Sequence, residues 1–305
     1  MKILRIRSWL AAFTVTGALA VSVWAQGQQD FDTVEIKSTR IIDNFYTLEG
    51  RGGTIGVLAG PDGILLVDSQ FAPLTDKIVA AIRRISNSPI RFLVNTHLHG
   101  DHIGGNENFG KMGVTIFARE ELRYRLAYPA PGPNDAPGVP ATEAALPAVT
   151  FSGRVSWHMN GQDVELIPVP RAHTDGDTMV YFPGLDVLMT GDFYRSIQFP
   201  YIDRNNGGTL DGMLDGLGAV IGMAGPNTKI IPGHGPIVDR DAVRESRDMI
   251  LVLRDRVAGL IQQGKSVEEV IAVNPANDYE AKISNTGTTR DRFLGQLYEE
   301  LKAAR

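Results

Sequence analysis

The stretch "VNTHLHGDHIGG", Val94 to Gly105, holds three of the chain's six histidines within six positions, with Asp101 ahead of the third. The segment before it, "IRFLVNT", is apolar and bounded by Pro89, so it reads as a buried strand, with the histidines at its C-terminal end. Where a strand runs out, positions two apart point the same way, so His97 and His99 can serve one ion together. Gly100 then lets the backbone turn, so that Asp101 and His102 face a second point, and a helix begins near Asn106 after Gly104 and Gly105. The spacing H-x-H-x-D-H therefore predicts two metals rather than one.

Two of the other three histidines also sit in loops at predicted strand ends. His173 lies in "PVPRAHTDGD" and His234 in "IIPGHGP", flanked by Gly233 and Gly235, which allow close backbone approach. Asp192, in "LMTGD", ends a strand in the same way. Ligands carried at like ends of neighbouring strands converge on one site. His158, in "VSWHMNGQ", falls outside this pattern; it precedes an Asn160-Gly161 turn and reads as a surface residue.

Around these anchors the chain reads as strands, a helix and a strand, twice over. The first block has strand-like segments from Asp32, Phe45, Gly53 and Gly63, with Gly60 to Gly63 as a turn. A helix over about Leu74 to Ile85, with Ile78, Ile82 and Ile85 on one face, leads into the histidine-bearing strand. The second block has strands "GQDVELIPV", "TMVYFP" and "DVLMT", a helix over about Leu210 to Ile221, and the strand "TKIIPG". Amphipathic helices follow over roughly Asp241 to Gln263 and Thr289 to Ala304. Between the blocks, Tyr128 to Val149 carries six prolines and cannot be a regular helix or a central strand. It is either a linker between halves or a loop bordering the site.

The composition sets limits on function. With 305 residues, 43% of them hydrophobic, the chain can bury a substantial core. It has no cysteine, so any metal is held by nitrogen and oxygen alone. Lys2, Arg5 and Arg7 precede an apolar run from Trp9 to Val23 that ends at the small residue Ala25, the layout of a secretory signal peptide over 1–25. Its removal takes away three positive charges and no negative ones, shifting the formal net charge from -5 to -8. The expectation is a secreted, periplasmic protein with a domain over 26–305, no membrane attachment after cleavage, and a small-molecule substrate. Nucleic acid is excluded by the acidic balance. The sequence settles no oligomeric state.

With its ligands in this order, the sequence resembles the metallo-β-lactamase superfamily. His97, His99, Asp101 and His102 match that family's H-x-H-x-D-H signature, and His173, Asp192 in "GD" and His234 in "GHG" match its later ligands; the likeness runs from about Val34 to Val238. The resemblance implies an αβ/βα four-layer sandwich of α/β class, two mixed β-sheets with helices on the outer faces. It also implies roles: His97, His99 and His173 on a first metal, Asp101, His102 and His234 on a second, and Asp192 bridging both. The donors suit zinc best, with iron or manganese as alternatives.

Two divalent ions ~3.5 to 4 Å apart can share a water, lower its pKa and hold it as a bridging hydroxide, the nucleophile of an acyl-bond hydrolysis. Asp101 is the candidate to orient that water and carry its proton to the leaving group. Tyr194 is the candidate to bond a carbonyl or oxyanion, as a tyrosine does in related lactonases, or else a partly buried aromatic. Arg195 or Arg204 could pair with a substrate carboxylate, and Gln198 to Gly208 reads as a pocket loop. Asp175 and Asp177 are either imidazole partners or turn residues. The bond is a lactam, lactone, ester or thioester. The alternatives are a β-lactamase proper, against which the aspartate at 192 argues, and an iron-dependent oxidoreductase on the same fold. A nuclease of this family carries an extra domain between its later motifs, for which the interval from Asp192 to His234 has no room.

Overall fold

The computed structural model describes residues 30–131, 136–283 and 287–303. The chain divides into two units, Met1–Asp30 and Phe31–Arg305, and the architecture below is that of the second. The expected signal peptide lies outside the described residues.

Seven strands form the first sheet in sequence order: β1 (Lys37–Ile42), β2 (Phe45–Glu49), β3 (Ile55–Leu58), β4 (Ile64–Val67), β5 (Ile90–Val94), β6 (Thr115–Arg119) and β7 (Val149–Phe151). Pairing is antiparallel through β4 and parallel from β4 to β7. Helices α1 (Thr75–Ile85), α2 (Gly100–Ile103), α3 (Asn106–Lys111) and α4 (Glu120–Ala127) connect its later strands. Five strands form the second sheet: β8 (Val155–Met159), β9 (Gln162–Val169), β10 (Asp177–Phe182), β11 (Val187–Gly191) and β12 (Lys229–Pro232), in spatial order β12-β11-β10-β9-β8. Only the β11–β12 pair is parallel, and its crossover is α5 (Leu210–Met223). After β12 come α6 (Arg240–Gln262), α7 (Val267–Val273) and α8 (Thr288–Ala303).

The layers follow from alternation along the strands, since successive side chains leave a strand on opposite faces. In β4, Leu65 and Val67 join a cluster with Val164, Val180, Val187 and Ile231 of the second sheet, which is the core between the sheets. Ile64 and Leu66 face the other way, onto Leu74, Ile78, Ala81 and Ile82. The second sheet repeats this: Val180 and Met189 face inward, whereas Met179, Leu188 and Ile230 meet Leu217, Val220, Ile250, Leu253 and Leu294 of the outer helices. The result is the four-layer α/β sandwich the resemblance implied. The C-terminal helices cover the outer face of the second sheet. None of the helices among the described residues is long and apolar enough to cross a membrane.

Two expectations need correction. The segment from Asp32 enters the sheet only at Lys37, because the carbonyls of Phe31, Asp32 and Val34 accept hydrogen bonds from Lys77 Nζ at 3.0, 2.6 and 2.8 Å instead of joining a ladder. The proline-rich stretch is not the link between halves. Its end, Val149, already belongs to β7, paired parallel with β6, and the chain crosses between sheets after Phe151.

Candidate metal centre

All seven predicted donors stand at one edge of the sandwich, beyond the same ends of the parallel strands. β4 leads to Asp68, β5 to His97, β11 to Asp192 and β12 to His234, and the loop after β9 brings His173. The turn out of β5 is anchored by Asp68, whose carboxylate accepts from Thr96 N at 2.8 Å and from Thr96 Oγ1 at 2.7 Å. His99 then caps α2, a single turn that carries Asp101 and His102. Gly100 does not supply the freedom expected of it. It lies inside this turn, and a Cβ there would meet nothing within 4 Å. The obligatory glycines are elsewhere: a Cβ at Gly233 would sit 1.9 Å from Asp192 Oδ1, and one at Gly53 would sit 2.1 Å from His102 Cε1.

Donor atoms gather in two groups. His97, His99, His173 and Asp192 form one, and Asp101, His102 and His234 the other; within each, one donor atom per residue lies within 4.8 Å of the rest. Asp192 divides its carboxylate between them. Its Oδ2 is 3.8 Å from His97 Nε2 and 3.9 Å from His173 Nε2, while its Oδ1 is 3.2 Å from His102 Nε2 and 3.5 Å from His234 Nε2. Asp101 Oδ2 is 3.1 Å from His234 Nε2. His97, His102, His173 and Asp192 are buried, whereas His99, Asp101 and His234 are partly exposed, so the centre opens on their side.

The far nitrogen of four imidazoles is tied to an acceptor, which fixes the tautomer. His102 Nδ1 donates to Asp68 Oδ2 at 2.7 Å, His99 Nε2 to Asp203 Oδ2 at 2.8 Å, and His173 Nδ1 to the Tyr201 carbonyl at 2.7 Å. His97 Nδ1 meets Thr96 Oγ1 at 3.1 Å, and that hydroxyl in turn donates to Asp68. The inward nitrogens of His173 and His99 therefore present lone pairs to one another, with His173 Nε2 and His99 Nδ1 2.9 Å apart, and His102 Nε2 lies 3.3 Å from His234 Nε2. Two lone pairs at the former distance repel unless a cation lies between them. His97 Nε2 and Asp192 Oδ1 are moreover buried without a hydrogen-bond partner, a costly state for a polar atom unless it ligates. The residues present thus fit divalent metal ions.

Charge is distributed unevenly over the two groups. Burial, with His102 nearby, holds His97 well below the usual histidine range, and burial brings His173 down to about 3. Burial opposes the charged forms of His102 and His234 too, but Asp192 and Asp68 raise the first, and Asp101 and Asp192 the second. Against its own burial, Asp192 is held well below the carboxylate range by His102 and Arg195. Asp101 is likewise brought to about 2 by His234 and His102. Neutral imidazole and ionised carboxylate are the forms that bind a metal.

Other candidates are placed differently. Tyr194 is a correction: it is 4% exposed and packs in the core of the outer helices, where burial, then Asp239 and Glu245, push its phenol up to about 12. An apolar pocket claims its ring, so it does not serve the centre. Arg195 donates to Asp192 and, at 2.8 Å, to Gln198 Oε1. Arg204 is taken by Glu300 at 2.9 Å. Asp177 accepts from the backbone of His173 and Thr174 and so shapes the loop, and Asp175 pairs with Arg125; neither meets an imidazole. His158 is exposed and meets Asp163 at 2.7 Å across the β8–β9 hairpin. Of the proline-rich segment, Pro129, Val139 and Ala141 line a cavity of about 360 Å³ together with Leu98, Arg125 and Asn206, and none of the seven donors lines it.

The sequence reading missed Asp68 and Asp203. Asp68 follows a strand at the same edge as the ligands, and Asp203 lies in the suspected pocket loop, so position was the available signal for both.

Comparison with known proteins gives this geometry a context. Residues 48–234 match the family model described as "Metallo-beta-lactamase superfamily". A linear primary-alkylsulfatase from Pseudomonas sp. (strain ATCC 19151) is 24% identical over 256 residues, 70% of this chain and 48% of the relative. The chain thus spans about half the length of that relative. A metallo-beta-lactamase type 2 from Bacillus cereus is 21% identical over 198 residues, 64% of this chain and 71% of the relative. A solved metallo-beta-lactamase from Pontibacter korlensis shares the fold with a TM-score of 0.59 at 20% identity, over 71% of this chain and 99% of the other.

Proposed function

Because this chain belongs to the metallo-beta-lactamase superfamily, we propose that it is a dinuclear metal hydrolase, with zinc as its metal, that cleaves an acyl bond in a small-molecule substrate. The observation that carries this reading is the divided carboxylate of Asp192, with one oxygen toward each group of donors. When bound, divalent ions supply a nucleophilic water at neutral pH and polarise the bond under attack. His97, His99 and His173 would hold one ion, Asp101, His102 and His234 the other, and Asp192 both.

The chain's own residues set up the rest. Asp68, Asp203 and the Tyr201 carbonyl take the proton of the outward nitrogen in the neutral rings of His102, His99 and His173, so that the inward nitrogen is the one left to ligate. Asp101 is partly exposed and, being ionised, can accept a proton and pass it to the leaving atom. Export through the sequence at 1–25, to the periplasm, belongs to the same proposal.

The test is metal analysis of the purified protein combined with a hydrolysis screen of β-lactams, lactones, esters, thioesters and, in view of the alkylsulfatase relative, sulfate monoesters. Two zinc ions per chain and turnover of an acyl substrate are expected, both abolished in Asp192→Ala. Full activity in metal-free protein overturns the mechanism, turnover of sulfate esters alone moves the bond from acyl to sulfate, and abundant iron with an optical band favours a redox role.

A further inference from the structure

Beside the centre lie two guanidinium groups with unpartnered N–H donors, although Arg195 also donates to Asp192 and Gln198. Arg292, on α8, lays its Cζ 4.1 Å from the centroid of the Tyr201 ring, and Arg195 lies 5.9 Å from the same centroid. That ring stacks on His99 at 5.7 Å and meets His173 edge-on at 5.2 Å, so both arginines stand next to the first group of donors.

Several arginines of this fold have carboxylates: Arg125 has Asp175, Arg256 has Asp278, and Arg290, two positions before Arg292 on α8, has Glu280 and Asp291, whereas Arg240 and Arg247 have backbone carbonyls. Among the described residues Arg292 has no carboxylate in an ion pair. Its Nε and Nη2 are buried without a hydrogen-bond partner, and so is Nε of Arg195. Burial, and then the like charge of Arg195, hold the Arg292 guanidinium below its usual value. A buried donor left unmade costs about 1–3 kcal/mol, and more when it is charged. A fold that keeps such a cation at the rim of the donor cluster, with a second guanidinium over the same tyrosine ring, has donors open to an anion.

We propose that Arg292 and Arg195 form a subsite for an oxyanion, a carboxylate or a sulfo group, carried by the substrate and held beside the first metal position. A planar fork of N–H donors matches either group in bidentate fashion, which a lysine cannot reproduce. Calling the ligand a substrate rests on the hydrolase reading; the binding of an anion does not. The subsite narrows the substrate to molecules with an anionic group near the bond to be cleaved, and Arg292 selects among them from a helix that carries none of the metal-binding donors.

The experiment is calorimetry of the zinc-loaded protein with hexanoate, hexanesulfonate and the neutral hexanamide, on wild type, Arg292→Gln and Arg292→Lys. Wild type should bind at least one anion, more tightly than the amide, and the tighter anion identifies the head group. Arg292→Gln should weaken that binding by about tenfold or more and Arg292→Lys by less, as expected when a charge-assisted pair is lost or kept without its fork. Metal content and melting temperature report whether each variant folds, and Arg292→Lys serves if the glutamine variant does not. Anion affinity unchanged in the folded variants, as when the anion binds the metal alone, overturns the proposal, as does equal affinity for the amide. Anion binding without turnover of any ester would discard the hydrolase reading and keep the subsite; turnover with unchanged binding in Arg292→Gln would do the reverse.

Discussion

Asp68 touches no donor group from the inside, yet it sets two of them. It accepts the Nδ1 proton of His102 directly and that of His97 through the Thr96 hydroxyl, so both rings present a lone pair inward. Asp68→Ala should weaken metal binding by about 10–100-fold, the usual loss when such a supporting partner goes. Titration against a competing chelator measures this, and an unchanged affinity would remove Asp68 from the site. Glycines offer a second contrast. Gly53→Ala forces a methyl into the His102 ring and should cost about 1–3 kcal/mol in denaturant unfolding. Gly100→Ala meets nothing and, inside a helical turn, should be neutral or stabilising by up to about 1 kcal/mol. The gathering of these seven side chains was legible because three histidines and an aspartate fall together at one strand end and the other three residues recur at strand ends. Gly53 was not, since its need arises from a ring nearly fifty positions further along the chain.

At the level of elements, α8 holds the site without contributing a donor. Gln296 grips the backbone of Ile202 from both sides, donating to its carbonyl at 2.8 Å and accepting from its N–H at 3.1 Å. The neighbours of Ile202 are Tyr201 and Asp203, which hold His173 and His99. Gln296→Ala removes two hydrogen bonds, each worth about 0.5–1.5 kcal/mol, and frees the loop. Metal content should fall at the His97–His99–His173 group while the unfolding midpoint drops by a few degrees; a variant with full metal content would show that the loop holds itself. The sequence told the length of α8 to within a residue or two, from its periodicity, but not where it docks. Periodicity reports which face is apolar, and docking depends on which partner is apolar in return. The β6, β7 and β8 strands went unread. β7 is three residues long and begins at the end of the proline-rich stretch, where local chemistry speaks for a loop and only pairing with β6 makes a strand.

For the molecule as a whole, the two sheets meet at the edge where the donors gather, so an ion bound there links both halves. Saturating zinc should stabilise the protein by about 4 kcal/mol at a thousandfold excess over its Kd, and chelation should lower the melting temperature correspondingly. A melting temperature indifferent to metal would contradict a centre shared by the sheets. Two β-rich halves were readable because the strand–helix–strand pattern occurs twice, while the four-layer order came from the family resemblance; of the two readings of the proline-rich stretch the linker fails, because prolines mark irregular backbone and not the end of a sheet. The grip of Gln296 on Ile202 also bears on timing during synthesis. Every donor up to His234 has been translated before α8 exists, so the nascent chain can carry all seven in their order while the loop behind His99 and His173 is still unbraced. The brace on this loop exists only once translation has passed Gln296, so a metal ion held by His99 and His173 would gain that support late in the life of the chain.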